Sequence, residues 1–449
     1  MSIPIDCTDL GKEVDSLFTE WDKPDSPGCC VAVIREGQVI YQRGFGQANL
    51  EYEIPNSPRT IYHVASLSKQ FTAFATHLLA TEGVISLDDP VEKYIPELQD
   101  YGHPITLRQL IHHTSGLRDQ WNLLGVAGWR SGDIVTEEDI LKVLYRQVEL
   151  NFEPGSEFQY CNSGYTLLGL IVKRVSGMSL RRFCHDRILT PLGMSRTHFH
   201  DDHTEIVKGR AYSYSPSSLG GFQNSPLQFG NVGATSLFTT LEDMILWDRN
   251  FDSPYVGSAS LIAEIQIGGM LNDGSQIGYA SGLINGNYRG LRTVGHDGAD
   301  AGFRTCYRRF PEQNFSVIVL ANVSSIDPTD LVHRTSEVFL GSPMNPVEPT
   351  RSDSPSNSSE PTTTNCNLAD YLGTYYCGEL EVVNTISLSD GNLKMSFPKG
   401  MASLSPISDD VFNADPIGLM TFERVNGSVT GFRLDNGRVR RLLYVSTML

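Results

Sequence analysis

At 449 residues the chain exceeds the usual size of one domain, so a large unit joined to a small one, or two domains, is the starting expectation. An apolar content of 40% and a charged content of 19% describe an ordinary soluble globular protein. A formal net charge of −17 with no basic stripe against it excludes phosphate-backbone binding, so no nucleic-acid partner is expected.

The amino terminus, MSIPIDCTDLGKEVDSLF, has no basic stretch followed by an apolar run. No signal peptide is read there, and a cytoplasmic location is expected. CCVAVIREGQVIYQRGFGQAN alternates apolar and polar residues around Glu36-Gly37 and predicts a β-hairpin. YHVASLSKQFTAFATHLLATEG predicts an apolar helix ending near Glu82-Gly83, where glycine suits the cap. From Asp88 to Asn250 the pattern is helical with frequent breakers. Strand character returns in SQIGYASGLING, LRTVGHDG, FRTCYRRFP and FSVIVLANV, and DPTDLVHRTSEVFLG reads as a closing helix.

Strands on both sides of a helical middle predict an α+β unit over residues 1–343: an antiparallel sheet flanked by helices, with a helical region inserted into it. PVEPTRSDSPSNSSEPTTTN cannot bury a core and predicts a flexible linker over 344–365. Residues 366–449 alternate strand-like runs with DG and NG turns and predict a small all-β, barrel-like domain. No run of about 18 apolar residues occurs, so no membrane span is expected. The eight cysteines (Cys7, Cys29, Cys30, Cys161, Cys184, Cys306, Cys366 and Cys377) show no CxxC spacing and read as reduced thiols.

The chemistry begins at Ser66-Leu67-Ser68-Lys69. Residues three apart at a helix start share a face. A serine hydroxyl needs a base to become a nucleophile, and a lysine becomes one when burial lowers its pKa toward neutrality. An N-cap serine beside a solvated lysine would read the same way, and SxxK alone decides nothing. Two further stretches add to it. In EFQYCNSGY, Tyr160 could relay protons and Asn162 could hold both the lysine and a substrate amide; a core tyrosine beside a capping asparagine is the plainer reading. In TVGHDGADAGF, a strand runs into His296, Asp297 and Gly298, where glycine lets a backbone approach a ligand closely.

Together SxxK, YxN and HxG resemble, in order and spacing, the three motifs of the serine β-lactamase and penicillin-binding-protein superfamily. IHHTSGL, LDDPVEKYIPEL and RILTPLGMSRTHF add to the likeness, which spans almost all of Cys30 to Leu340. The group most similar is the class C-like serine hydrolases (peptidase family S12), which includes D-aminopeptidases, D-alanyl-D-alanine carboxypeptidases and esterases. The carboxyl-terminal unit resembles the lipocalin-like barrel appended to some members.

The resemblance implies a serine hydrolase acting through an acyl-enzyme on an amide, peptide or ester bond. Ser66 is then the nucleophile, Lys69 its base partner, Tyr160 the proton relay and Asn162 a positioning group. His296 and Gly298 come from the third motif, and the backbone N–H groups of Ser66 and Ala299 form the oxyanion hole. His296 stands where the β-lactamase branch has lysine, which shifts the expectation from β-lactams toward D-amino peptides, amides or esters. Asp297 either faces away from the cleft or repels anions, and Cys161 is a size match for serine or an oxidisable thiol.

The alternatives are an acyltransferase or peptide cyclase using the same acyl-enzyme, or a β-lactam-binding sensor with slow deacylation. The expected partner is a small molecule or short peptide; the oligomeric state is not legible. His198, His200, Asp201, Asp202 and His203 crowd THFHDDHTE, but their spacing matches no zinc helix, so no metal is expected. His112 and His113 read as positioning a helix-to-loop turn. No P-loop and no dinucleotide fingerprint occurs, and no cofactor is expected.

Overall fold

The computed structural model describes residues 7–130, 132–341, 344–345, 367–398 and 400–447. Strand β1 (Cys29–Arg35) reads CCVAVIR, and all of it except Arg35 is buried. Such a run needs cover on both faces of its sheet. Cys29, Val31 and Val33 enter one apolar cluster, while Cys30, Ala32 and Ile34 enter another.

The sheet is completed by β2 (Gln38–Phe45), β3 (Ile284–Tyr288), β4 (Leu291–Asp300), β5 (Phe303–Phe310) and β6 (Phe315–Ala321). Their spatial order is β3-β4-β5-β6-β1-β2, antiparallel throughout. The β1–β2 turn is Glu36-Gly37, both at positive φ (51° and 71°), the conformation a two-residue hairpin demands. The predicted hairpin is therefore present, with Arg35 opposite Gln38.

Five helices position the rest: α1 (Cys7–Leu17), α2 (Ser68–Thr81), α3 (Asn162–Ser176), α4 (Leu241–Asp252) and α5 (Pro328–Leu340). α1 and α5 cover one face of the sheet through Val14, Leu331 and Val332. α2, α3 and α4 belong to the helical region inserted between β2 and β3 and cover the other. α2 is buried almost all round, with Trp247 of α4 packed on Phe71 (ring centroids 4.4 Å apart) and its indole N–H donating to Gln70 at 3.0 Å. The α+β arrangement expected from the sequence is what forms.

One predicted strand is shortened. Of SQIGYASGLING only the end joins the sheet, from Ile284. Gly282, at φ +70°, lies so close to α2 that a Cβ there would sit 2.5 Å from the Gln70 nitrogen. The segment before it pairs with the loop at Gly269 instead of the sheet: Ile277 N–H donates to the Gly269 carbonyl at 2.9 Å and Gly269 N–H to the Tyr279 carbonyl at 3.0 Å.

The predicted barrel is a closed one of eight strands: β7 (Gly373–Cys377), β8 (Val382–Ser389), β9 (Asn392–Phe397), β10 (Gly400–Ser408), β11 (Val411–Asp415), β12 (Gly418–Val425), β13 (Ser428–Asn436) and β14 (Val439–Ser446). Pairing of Tyr375 with Ser446 closes it, which removes free strand edges. Alternate residues point inward, and Tyr375, Phe412, Phe422, Phe432 and Tyr444 fill the interior. Of the predicted linker, residues 346–365 lie outside the described residues.

The barrel docks through buried charge. Arg118 is fully buried and donates to Glu379 Oε2 at 2.6 Å and to the Arg440 and Arg441 carbonyls at 3.1 and 3.3 Å. The six cysteines whose side chains are described are free and buried, and no helix among the described residues is long and apolar enough to cross a membrane.

Candidate active site

The chain reaches Ser66 through the short strand Tyr62–His63 and a single tight turn, Ala65–Leu67, and α2 starts two residues later. Ser66 thus precedes the α-helix instead of lying on it. Ala65 has φ +48°, which costs a non-glycine residue about 1–3 kcal/mol and needs fixed surroundings. Those are present. The Ala65 N–H donates to His63 Nδ1 at 3.1 Å, Ser68 Oγ donates to the Ala65 carbonyl at 2.5 Å, and Thr305 Oγ1 donates to the Val64 carbonyl at 3.1 Å. His63 is neutral: burial lowers its pKa to about 3.

Lys69 lies one turn on, with no exposed surface. Its ammonium nitrogen is 3.0 Å from Ser66 Oγ, 2.9 Å from Asn162 Oδ1 and 2.7 Å from the Ala234 carbonyl oxygen. Burial is the main cause that lowers its pKa to about 7, with Arg438 acting in the same direction and Asp300 and Asp119 opposing. Near neutral pH the amine is therefore free of its proton much of the time, which makes it a base in reach of a hydroxyl. Gly233, at φ +102°, sets the Ala234 carbonyl: a Cβ there would stand 2.4 Å from the Tyr165 carbonyl oxygen.

Tyr160 packs above the amine, with Lys69 Nζ 4.9 Å from its ring centroid. Its buried hydroxyl has no hydrogen-bond partner among the described residues. Burial raises its pKa, which the neighbouring Ser66 hydroxyl only partly offsets, so the phenol keeps its proton. His113, read in the sequence as a turn residue, does occupy a left-handed turn position (φ +59°). It also lies ring against ring with Tyr160 at 4.2 Å, and its Nδ1 accepts the Cys161 N–H at 3.1 Å. Cys161 itself points away toward the Leu117 carbonyl, and burial pushes its thiol up to about 12, which fits the size match and not a reactive thiol.

Asn162 starts α3 and is aimed by a residue absent from the sequence reading. Asp119 Oδ2 accepts both the Asn162 N–H at 2.7 Å and its side-chain NH₂ at 2.8 Å, leaving Oδ1 of Asn162 for Lys69. A third donor to the same oxygen, Arg438 Nη1 at 3.2 Å, comes from the turn between β13 and β14. The Arg438 guanidinium also stands 5.3 Å from the Tyr160 ring centroid. In the sequence Asp119 shows only as a helix N-cap in GLRDQW, and Arg438 only as the residue after a hairpin turn.

β4 forms the opposite wall. Its pairing with β3 ends at Gly295, so His296 to Asp300 have a partner strand only on the β5 side. Gly298 passes directly over the turn that holds Ser66, where a Cβ would be 2.5 Å from the Val64 carbonyl oxygen and 2.3 Å from Thr305 Oγ1. Ala299 follows on the unpaired edge. His296 is buried and engaged inside the protein: Nδ1 donates to the Asp297 carbonyl at 2.6 Å, which leaves Nε2 to accept the Tyr279 hydroxyl at 3.0 Å. Burial, with Lys69 nearby, lowers its pKa to about 4, so it carries no charge near neutrality. Asp297 turns outward to Arg308 (2.7 Å) and Thr329 (3.2 Å), the first of the two orientations considered for it.

Residues 14–338 match the Beta-lactamase family, and the chain belongs to it: a serine-hydrolase fold carrying an appended barrel. A D-aminopeptidase of Cereibacter sphaeroides is 30% identical over 297 residues, 66% of this chain and 57% of that protein. This chain thus spans little more than half the length of that relative. The octameric penicillin-binding protein homologue from Pyrococcus abyssi superposes with a TM-score of 0.66 at 24% identity, over 98% of this chain and all of that one. The D-amino acid amidase from Ochrobactrum anthropi SV3, complexed with L-phenylalanine amide, gives a TM-score of 0.63 at 22% identity, over 75% of this chain and 99% of that one.

Proposed function

We propose that this chain hydrolyses an amide or peptide bond next to a D-amino acid through an acyl-enzyme on Ser66. The observation that carries the reading is a fully buried lysine with a pKa near 7, hydrogen-bonded at 3.0 Å to a serine on a strained turn. Neutral Lys69 takes the hydroxyl proton as Ser66 Oγ bonds to the substrate carbonyl carbon. The carbonyl oxygen becomes an oxyanion between the N–H groups of Ser66 and Ala299, each worth about 3–4 kcal/mol to the transition state. When the tetrahedral intermediate collapses, the C–N bond breaks and the leaving amine receives a proton from the Tyr160 hydroxyl. Tyr160 is reprotonated from Lys69, since a phenol with a raised pKa passes protons without staying ionised. Water then attacks the ester and frees Ser66.

Asn162 holds Lys69 and the substrate amide, and Gly298 allows β4 to run alongside the substrate. The D-amino acid preference rests on the names of the D-aminopeptidase and the amidase. A neutral His296 supports substrates other than those held by a fixed cation on this strand. The Asn436-Gly437-Arg438 turn supports a barrel that walls the cleft and is no passenger.

The test is a panel of D-amino-acid amides, short-chain esters and β-lactams, with wild type and Ser66→Ala. D-Amino-acid amides are turned over by wild type alone, and an acylating probe labels wild type alone. Undiminished labelling of Ser66→Ala overturns the assignment, and turnover confined to esters or β-lactams overturns the substrate class.

A further inference from the structure

The segment that sequence reading dismissed as a metal site has a different geometry in the fold. Residues 198 and 200 of Thr-His-Phe-His are two apart on a strand, so both histidines share one face while Phe199 enters the core on the other. The strand is held by pairing of His198 with Phe238 and Phe199 with Leu237, and His200 N–H donates to the Ser236 carbonyl at 2.8 Å. A turn fixed by Asp202, which accepts from Thr204 N–H and Oγ1 at 2.9 and 2.6 Å, then brings Glu205 back beneath the two rings. A donor atom from each of His198, His200 and Glu205 lies within 4.8 Å of the other two.

Three ring nitrogens here, His198 Nε2 and both nitrogens of His200, are buried without a hydrogen-bond partner among the described residues. His200 is only 3% exposed, and its Nδ1 is 3.7 Å from Glu205 Oε2, too far for a hydrogen bond. Unpaired buried polar atoms are costly, and a group that leaves both of its ring nitrogens unmatched calls for a ligand.

Two arginines and two carboxylates surround the donors. Arg181 holds Asp201 (3.0 Å) and both oxygens of Glu205 (2.5 and 2.8 Å), so an ion takes Glu205 in exchange for one of these bonds. Arg210 stands over the Phe238 ring and adds positive charge near His200. A cavity of about 540 Å³ lined by His198, Glu205 and Arg181 provides an entry path.

We propose that His198, His200 and Glu205 bind one divalent transition ion of the zinc type, for which two imidazoles, one carboxylate and water are a fitting donor set. The donors lie within 4.8 Å of one another, so side-chain rotation is needed to reach the ~2.0–2.2 Å bond lengths that zinc takes. The ion is structural. Ser236, which accepts from His200, has its backbone nitrogen 3.2 Å from His63 Nε2, and the Phe238 ring lies 4.6 Å from His200 and 5.4 Å from His63. It therefore braces the three-stranded sheet that leads into Ser66 and carries no part of the reaction.

The test uses the untagged full chain, stripped with a chelator and desalted, and titrated calorimetrically with zinc chloride. One equivalent binds, the thermal midpoint rises, and cobalt(II) gives visible d–d bands without the near-ultraviolet thiolate band that cysteine ligation produces. His200→Ala and Glu205→Gln each weaken binding by at least about tenfold while Ser66 labelling reports that they are folded. Absence of saturable binding up to about 100 μM zinc, a cobalt–thiolate band, or undiminished binding in the folded Glu205→Gln protein overturns the proposal.

Discussion

Asp119→Ala is the sharpest probe of how this site is built. The carboxylate is fully buried and accepts four donors: Trp121 N–H on Oδ1 at 3.0 Å, and on Oδ2 the two from Asn162 and one from Arg438. Loss of the helix cap costs about 1 kcal/mol. Each Asn162 donor left buried without an acceptor costs about 1–3 kcal/mol. The Arg438 side chain is 41% exposed, so water takes over there and its share is about 0–1 kcal/mol. Relief of the buried charge offsets part of the sum, and about 3–5 kcal/mol remains, the usual cost of breaking a buried pair.

For a cooperative transition of this size the unfolding entropy is about 0.9 kcal/mol/K, so the thermal midpoint falls by about 4 °C. Asn162 also loses its aim on Lys69, and kcat/KM for a D-amino-acid amide falls with it. Asp119→Asn, which keeps an acceptor oxygen, loses less of both. An alanine variant that melts within about 1 °C of wild type and keeps its kcat/KM refutes the reasoning.

Four other outcomes are expected. The pH profile of kcat/KM rises about tenfold per unit up to a pH of about 7 and levels above it, because Lys69 must lose its proton to act; a profile flat through neutrality contradicts Lys69 as the base. The same lowered pKa means the folded chain binds fewer protons than the unfolded one between about pH 7 and 10.5, so this group favours folding more as pH climbs through that window. Gly298→Ala puts a methyl against Val64 and Thr305 and costs at least about 1–3 kcal/mol in denaturant titration, with slower Ser66 labelling; wild-type behaviour would remove the close-approach argument. Glu379→Ala removes the 2.6 Å carboxylate partner of the buried Arg118 guanidinium, leaving Glu149 at 3.7 Å, and costs about 1–3 kcal/mol in thermal unfolding, whereas Glu379→Gln costs less; equal losses would mean the charge is immaterial to docking.

The elements legible in the sequence were those set by neighbours in the chain. Gly37 between two alternating runs marks the two-residue turn, and the barrel strands declare themselves by alternation and DG or NG turns. Ser66 and Lys69 meet because they are three residues apart at a helix start, a local rule that needs no knowledge of the rest. SQIGYASGLING misled because its first half pairs with the loop at Gly269 and Gly282 is pressed against α2, contacts that only the folded chain supplies.

What the tertiary structure alone decided is the character of those side chains. Lys69 is buried and its pKa lowered where Asn162, 93 positions away, and the Ala234 carbonyl, 165 away, close round its amine. Asp119 and Arg438 are 319 residues apart and meet behind Asn162 only because the barrel docks there. His198 and His200 crowd with Glu205 in THFHDDHTE, but only the pairing with Phe238 and Leu237 and the turn after it decide which of those side chains face one another. A pKa or a donor set depends on desolvation and on charges within a few ångströms in space, and residue order specifies neither until the chain has folded.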